Sequence, residues 1–228
     1  MKGTIVNTIA VIAGGTVGML IGRRFPQKIR EAIIQGVGLF TLLLGVSMIL
    51  KSEDIIIIFI SLILGIITGE ALKLEEHLLN LLERVKSRVS PNSPKFVEGF
   101  ITATLVFCVG AMTIVGSIEE GLTGNATLLY TKSLMDGVTS ITLASGLGVG
   151  VVLSSISVFL IQGGLTLLGS NLQFLMTPLY INVLTATGGL LIIAIGFELI
   201  GIKKLRILNM LPSLFYAPFI MFIKSLII

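Results

Sequence analysis

Four ionisable side chains lie close together in the stretch GAMTIVGSIEEGLTGNATLLYTKSLMDG: Glu119, Glu120, Lys132 and Asp136. Lys132 and Asp136 are four residues apart, so on a helix they share one face and can form an ion pair. An ammonium group donates hydrogen bonds and a carboxylate accepts them, so a set of side chains that has both can bind ions, protons or polar solutes. We therefore take these four side chains as candidates for a binding or permeation path.

Each of these residues also has a structural interpretation. Glu119 and Glu120 would form a solvated outer rim if they lie just past the end of an apolar segment. Asp136 precedes a long uncharged region, and a carboxylate there would stabilise the N-terminus of a helix. Ser133 and Ser140 would add hydroxyl groups along the same helix as Asp136.

Other residue types give no sign of catalysis. The chain has one cysteine, Cys108, and one histidine, His77, so no metal-ligand spacing is present. It also lacks a phosphate-binding loop and a nucleophile elbow. We expect no catalytic residues, no metal and no cofactor, and rank a membrane enzyme third among the functional classes.

The composition is that of an integral membrane protein. Of the 228 residues, 54% are hydrophobic and only 12% are charged, whereas soluble domains have about 25% charged residues. Mean hydropathy is +1.04. The net charge of +4 comes from cations at the ends of apolar segments, so the expected partner is the lipid bilayer and not nucleic acid.

The apolar segments predict an all-α transmembrane bundle of about seven to eight spans, formed as a single domain over residues 1–228. A helix that crosses the hydrocarbon needs about 20 residues. The expected spans are 4–22, 32–50, 55–72, 97–116, 134–152, 154–170, 180–200 and 212–228. Within the uncharged region 137–197, breaks are expected at Ser154-Ser155 and at GSNLQFLMTP.

Cation-rich loops favour an N-terminus outside the membrane, because cytoplasmic loops carry an excess of Lys and Arg. RRFPQKIR and KKLR would then be cytoplasmic. Residues 73–95 form the third cytoplasmic segment, a connector whose first part is an amphipathic helix on the membrane surface. Seven spans, or a re-entrant pair within 117–152, remain as alternatives.

Glycines near the acids permit irregular backbone in 110–150. Such backbone occurs at membrane depth only where it is buried in protein or lines a watery cavity. We expect two broken or re-entrant helices there. Glu198, the deepest acid by residue count, suits proton coupling, although its side chain could also reach the interface.

Glycine at every fourth residue leaves a helix face on which another backbone can pack. Gly14, Gly18 and Gly22 follow this pattern, as do Gly146 and Gly150. The pattern indicates tight helix packing or a homo-oligomer.

A weak internal similarity suggests an inverted repeat. GLFTLLLG (38–45) resembles GLLIIAIG (189–196), and AGGTVGMLIG (13–22) resembles QGGLTLLGSN (162–171). The halves would be 1–72 and 154–228. In inverted-repeat transporters the binding site lies at the repeat interface near the membrane midplane.

Three stretches carry a family resemblance: GAMTIVGSIEEGLTGN, KSLMDGVTSITLASGLGVGV and the opening MKGTIVNTIAVIAGGTVGMLIG. They resemble the YqgA/YdfK-like membrane proteins of bacteria and archaea, a family labelled as domain of unknown function 554. The resemblance covers nearly the whole chain and implies a multi-pass protein of the prokaryotic cytoplasmic membrane. It implies no particular substrate.

These observations predict a transporter or channel for an unknown small solute or ion. The alternative is a scaffold or partner subunit that transports nothing. In that case the glycine faces and the amphipathic helix would carry the function, as surfaces for packing and assembly.

Overall fold

The structure is a computed structural model that describes residues 1–22 and 24–227. These residues form α-helices and one short 3-10 helix, Gln173–Met176, and no β-strand occurs among them. The α-helices are α1 (Lys2–Gly22), α2 (Gln27–Ile49), α3 (Ile55–Ala71), α4 (Leu74–Val89), α5 (Phe96–Cys108), α6 (Ala111–Thr123), α7 (Thr127–Leu147), α8 (Val149–Leu167), α9 (Pro178–Leu199), α10 (Ile207–Met210) and α11 (Ser213–Ile227). The all-α class is therefore confirmed.

Several of these helices have the length and composition of membrane spans. Among the described residues, α1, α2, α8, α9 and the segment Ile207–Leu226 qualify individually. Two bent pairs bring the number to seven if each pair is one span: α3 turns by 64° into α4, and α5 by 59° into α6. The protein is thus a multi-pass membrane protein.

The helices pack as two units. Unit 1 comprises Met1–Val37 and Val85–Gln173, and it contains α1, α5, α6, α7 and α8. Unit 2 comprises Gly38–Arg84 and Phe174–Ile228, and it contains α3, α9, α10 and α11. Helices α2 and α4 each contribute residues to both units.

One end of unit 1 gathers the beginnings of α1 and α7 with the ends of α6 and α8. The backbone N–H of Gly3 donates a hydrogen bond of 3.0 Å to Glu120 Oε1 on α6. Gly3 also packs against Leu129 of α7. On α8, the Thr166 hydroxyl lies 3.5 Å from that of Thr4.

The other end of unit 1 gathers the end of α1 with the turn between α7 and α8. Gly22, Ser93 and Gly148 line one cavity there. Gly150, at the start of α8, packs against the carbonyl oxygen of Phe96, at the start of α5. Because α5 begins at this end and α6 finishes at the other, the bent pair crosses unit 1 once as a broken span. A re-entrant loop would have both of its ends on one side.

Helix α7 crosses unit 1 as well, although its composition keeps it out of the seven spans above. Its 21 residues correspond to about 31 Å of helix. It runs from the end marked by Leu129 to the end marked by Gly148, alongside α1. The described residues thus contain five to seven candidate spans by length and composition, and the prediction of an eighth crossing, by α7, stays a prediction.

The expected break at Ser154-Ser155 is wrong. The chain turns at Gly148, whose φ of +78° lies in the left-handed region that only glycine adopts without strain. Both serines lie inside α8 and are buried. The Ser154 hydroxyl donates to the carbonyl of Val151 at 2.6 Å, so it is satisfied within the helix.

The expectation of two broken helices in 110–150 is only half correct. The first helix is broken at Val109-Gly110, between α5 and α6. The second, α7, is continuous from Thr127 to Leu147. Its glycine at 137 faces α1, where the absence of a side chain allows close approach and causes no bend.

The glycines of α1 hold it against α7. A Cβ on Gly14 would overlap the carbonyl oxygen of Gly137, and a Cβ on Gly22 would overlap that of Ser145. Gly18 meets α7 midway between these points. Because contacts advance along both helices in the same direction, α1 and α7 are parallel.

The remaining glycine faces are also occupied within the chain. Gly146 packs against Ile34, and Gly150 against α5. In unit 2, Gly69 packs against the backbone of Asn209. These faces are thus used for packing inside one molecule, so they no longer argue for a homo-oligomer, which stays a prediction.

The repeat also stays a prediction. Its paired segments fall in the same unit: 13–22 with 162–171 in unit 1, and 38–45 with 189–196 in unit 2. In unit 2 the two segments touch, because Gly45 lies against the carbonyl oxygen of Gly189. The halves 1–72 and 154–228 are therefore intertwined in packing rather than separate.

Helix α4 lies at the start of the connector 73–95. Only Leu82 is buried in it, whereas Leu81 and Val89 are more than half exposed. Its apolar face is therefore largely uncovered by protein, as in a helix that lies on a membrane surface.

Candidate functional site

The centre of the candidate site is an ion pair on α7. Lys132 Nζ contacts Asp136 Oδ2, and the two residues are 5% and 7% exposed. The same carboxylate oxygen accepts a hydrogen bond of 2.9 Å from Asn7 Nδ2 on α1. The helical spacing thus predicts the pairing correctly, but Asp136 is the tenth residue of α7 and does not lie at a helix N-terminus.

The broken span lies beside this pair. Lys132 Nζ is 6.0 Å from the centre of the Phe107 ring, at the end of α5. Cys108, the next residue and the last of α5, is buried. Thr113 Oγ1 of α6 donates to the carbonyl of Phe107 at 2.7 Å and so satisfies one of the groups released at the bend.

Glu120 is not on a solvated rim. It is 5% exposed, and its Oε1 accepts the Gly3 N–H. The amino group of Met1 lies 2.9 Å from the same oxygen. The rim interpretation applies to Glu119, whose Oε1 accepts a hydrogen bond of 2.8 Å from Asn125 Nδ2 at the surface.

Five polar side chains in unit 1 have buried atoms without a hydrogen-bond partner among the described residues. They are Oδ1 of Asn7, Oγ1 of Thr104, Oγ of Ser117, Oε2 of Glu120, and both amide atoms of Gln162. A buried polar atom without a partner costs roughly 1–3 kcal/mol. Natural proteins rarely keep such atoms without a reason, so each of them marks a place where a polar ligand or water could be held.

Amides within apolar segments, such as Asn7 and Gln162, are expected to form hydrogen bonds between helices. Asn7 does make such a bond, to Asp136, but it also leaves one amide oxygen free. Gln162 is fully buried and makes none among the described residues. The only sequence signal for either is an amide within an apolar segment.

The serine hydroxyls on α7 are satisfied locally. Ser133 donates to the carbonyl of Leu129 at 2.7 Å, and Ser140 donates to that of Gly137 at 2.8 Å. Both serines are buried near the pair on the same helix. They could accept a further hydrogen bond, but their protons are engaged.

Glu198 does not belong to this cluster. It lies near the end of α9 in unit 2 and is partly exposed. Its side chain interacts with other groups of the protein. A role in proton coupling for Glu198 therefore stays a prediction separate from the site in unit 1.

Unit 2 has polar contacts of its own, at the start of α4. Asn209 Oδ1 accepts a hydrogen bond of 2.8 Å from the backbone N–H of Glu75. Burial raises the pKa of the Glu75 carboxyl above its ordinary value, although Lys204 and Arg206 oppose this shift. The hydrogen bond from Glu75 to Asn209 ties α4 to α10.

The chain is similar to a family described as "Protein of unknown function (DUF554)" over residues 2–222. It is 33% identical over 227 residues to the "Uncharacterized membrane protein YdfK" of Bacillus subtilis (strain 168), covering 98% of this chain and 96% of that protein. It is 31% identical over 220 residues to the "Uncharacterized protein YqgA" of Escherichia coli (strain K12), covering 94% of each. No solved structure matches the chain.

Proposed function

The chain belongs to the DUF554 family, and we propose that it carries a small solute or ion across the prokaryotic cytoplasmic membrane. The observation that carries this proposal is the buried cluster of Lys132, Asp136 and Asn7 beside the bend between α5 and α6. We assign no reaction to it.

Charged groups in the middle of a membrane bundle are costly and usually mark a path for ions or substrates. A pair kept only for structure could be replaced by apolar residues with little loss of stability. Lys132 and Asp136 also lie next to a broken span, and broken spans form the binding sites of many transporters. The combination supports transport better than scaffolding.

A cavity lies at one end of unit 1, farther along the helix that carries the pair. Its volume is about 260 Å³, and Ser90, Asn92 and Ser145 contribute polar groups to its wall. Ser145 lies nine residues beyond Asp136 on α7, which is roughly 14 Å along a helix. The cavity thus resembles a vestibule at one end of unit 1.

A carrier fits these observations better than a channel. A channel needs a continuous hydrated path, whereas both charged side chains of the pair are at most a tenth exposed. A carrier instead binds its cargo at a site closed to one or both sides. The glycine faces, which could have lined an oligomeric pore, are occupied within the chain.

Purified protein in liposomes tests this function. Proton, monovalent-cation and organic-solute flux would be measured for the wild type and for Asp136→Asn. We expect flux in the wild type and its loss in the variant. Glu119→Gln is the matched control, because Glu119 is a neighbouring acid at the surface, and it should retain flux.

Equal flux in the wild type and Asp136→Asn would remove Asp136 from the path. No flux of any solute tested would favour the scaffold alternative. Folding of each variant would be checked by size-exclusion chromatography and thermal unfolding, so that a lost path is not confused with a lost fold.

A further inference from the structure

We propose that the cargo is a small zwitterion of the α-amino acid type, which inserts its charged groups between Asp136 and Lys132. This inference rests on the proposed function and names the substrate class. The ammonium group of the cargo would contact the Asp136 carboxylate, and the carboxylate of the cargo would contact the Lys132 ammonium.

Charge balance selects this class. Lys132 and Asp136 neutralise each other in a buried environment. A cation that bound Asp136 would leave Lys132 unpaired, and an anion that bound Lys132 would leave Asp136 unpaired. Leaving one member of a buried pair without its partner is strongly unfavourable. A zwitterion gives each charge a new partner and adds no net charge.

Asn7 Oδ1 offers a second hydrogen-bond acceptor to the ammonium group of the cargo. Asn7 is fully buried, and its Nδ2 is held by Asp136. Its Oδ1 has no partner among the described residues. An ammonium group has three N–H donors, so it could bond to the Asp136 carboxylate and to Asn7 Oδ1 together.

The carboxylate of the cargo would bind Lys132. The Lys132 side chain has a flexible stem and three N–H donors, so it can follow its partner as the partner moves. Lys132 and Asp136 are in direct contact, so the ligand that separates them must keep its own charges close. An α-amino acid has one carbon atom between its two charged groups. Around the pair, α5 supplies the Phe107 ring, and α1 supplies Asn7.

Binding to the purified wild-type protein is the first test. The probes are glycine and three analogues: glycinamide as the cation, glycolate as the anion and glycolamide as the neutral molecule. L-alanine tests a larger side chain. We expect glycine or alanine to bind, and each analogue to bind at least about a hundredfold more weakly, because it leaves a buried charge unpaired.

Substitutions at the pair should have the same effect. Asp136→Asn and Lys132→Met should each weaken zwitterion binding by about a hundredfold or more. The exchange of both residues, Lys132→Asp with Asp136→Lys, keeps the pair neutral and provides a variant that can fold where the single ones fail. It should bind better than either single variant.

A measurement on the unmodified protein avoids any folding problem. A ligand that binds only the folded state raises its stability. Glycine or alanine should raise the midpoint of thermal unfolding of the wild type, and glycinamide and glycolate should not. Equal effects of all probes would contradict the proposal.

Flux measurements separate this inference from the function on which it rests. Uptake of a zwitterion that depends on Asp136 and Lys132 supports both. Uptake of inorganic cations alone, without zwitterion binding, keeps the transport function and overturns the zwitterion. Zwitterion binding without uptake keeps the site and overturns transport. Neither binding nor uptake overturns both.

Discussion

Two buried amides of this protein differ in how they are satisfied. Asn209 in unit 2 is 3% exposed, and its Oδ1 accepts the N–H of Glu75. Gln162 in unit 1 is fully buried, and neither amide atom has a partner among the described residues. The first amide stabilises the fold, whereas the second carries a cost that only a ligand or water could relieve.

This contrast predicts opposite effects of apolar substitution. Gln162→Met replaces an unpartnered amide with an apolar chain of similar length and should keep or raise the free energy of unfolding, by up to about 1–3 kcal/mol. Asn209→Leu leaves the Glu75 N–H without its acceptor and should lower the free energy of unfolding by a similar amount. Thermal unfolding in one detergent measures both variants.

Asn209→Leu also serves as the control for Gln162→Met. If Gln162→Met destabilised the protein as much as its control does, the amide of Gln162 would have a partner in the folded protein. It would then have no place among the groups of the candidate site.

At the scale of the elements, α1 is the helix on which unit 1 depends. Its glycines bring its backbone into contact with that of α7 along most of their length. It also supplies Asn7 to the ion pair and Gly3 to Glu120. Packing and the site therefore share one helix, and a shift of α1 would alter both.

Two glycines test this role. Gly18→Ala would place a Cβ against the backbone of Ile141, so it should lower the free energy of unfolding by about 1–3 kcal/mol or more. Gly164→Ala adds a Cβ in open space within α8 and should raise the stability by roughly 0.5–1 kcal/mol. Thermal unfolding of the two variants beside the wild type would measure the difference.

A similar small gain from both alanine variants would mean that α1 and α7 do not pack through Gly18. The same substitutions also bear on transport. Because Asn7 moves with α1, Gly18→Ala should impair flux, whereas Gly164→Ala should leave it unchanged.

At the scale of the whole molecule, the question is which side of the membrane each end of unit 1 faces. The beginnings of α1 and α7 lie together at one end. At the other end, the turn at Gly148 lies with the Ser- and Pro-containing segment 90–94 that follows α4, here called the hinge. Cation-rich loops favour the hinge end as the cytoplasmic side. The two ends should thus differ in access to reagents added outside.

Single cysteines measure this orientation. In a Cys108→Ser background, Asn125→Cys should react with a membrane-impermeant maleimide in intact spheroplasts. Asn92→Cys should react only after the membrane is opened. Both positions are exposed, so accessibility and not burial decides the result. The reverse pattern would invert the proposed topology, with the packing of unit 1 unchanged.

The sequence by itself determined the class of protein and the central ion pair. Apolar segments separated by charges must become membrane helices, because only helices satisfy their backbone groups within each crossing. Spacing of four places Lys132 and Asp136 on one helix face wherever that helix lies. The glycine pattern likewise marked the tightly packed faces of α1 before their partners were known.

Only the tertiary structure decided which faces meet. It buried Glu120 by bringing α6 to the start of α1, and it placed Asn7 on Asp136 across 129 positions of the chain. It set the turn between α7 and α8 at Gly148, because the left-handed backbone of this glycine ends α7. Ser154 and Ser155, where the sequence predicted a break, continue α8. These outcomes depend on contacts between distant segments, and such contacts leave no local pattern in an apolar sequence.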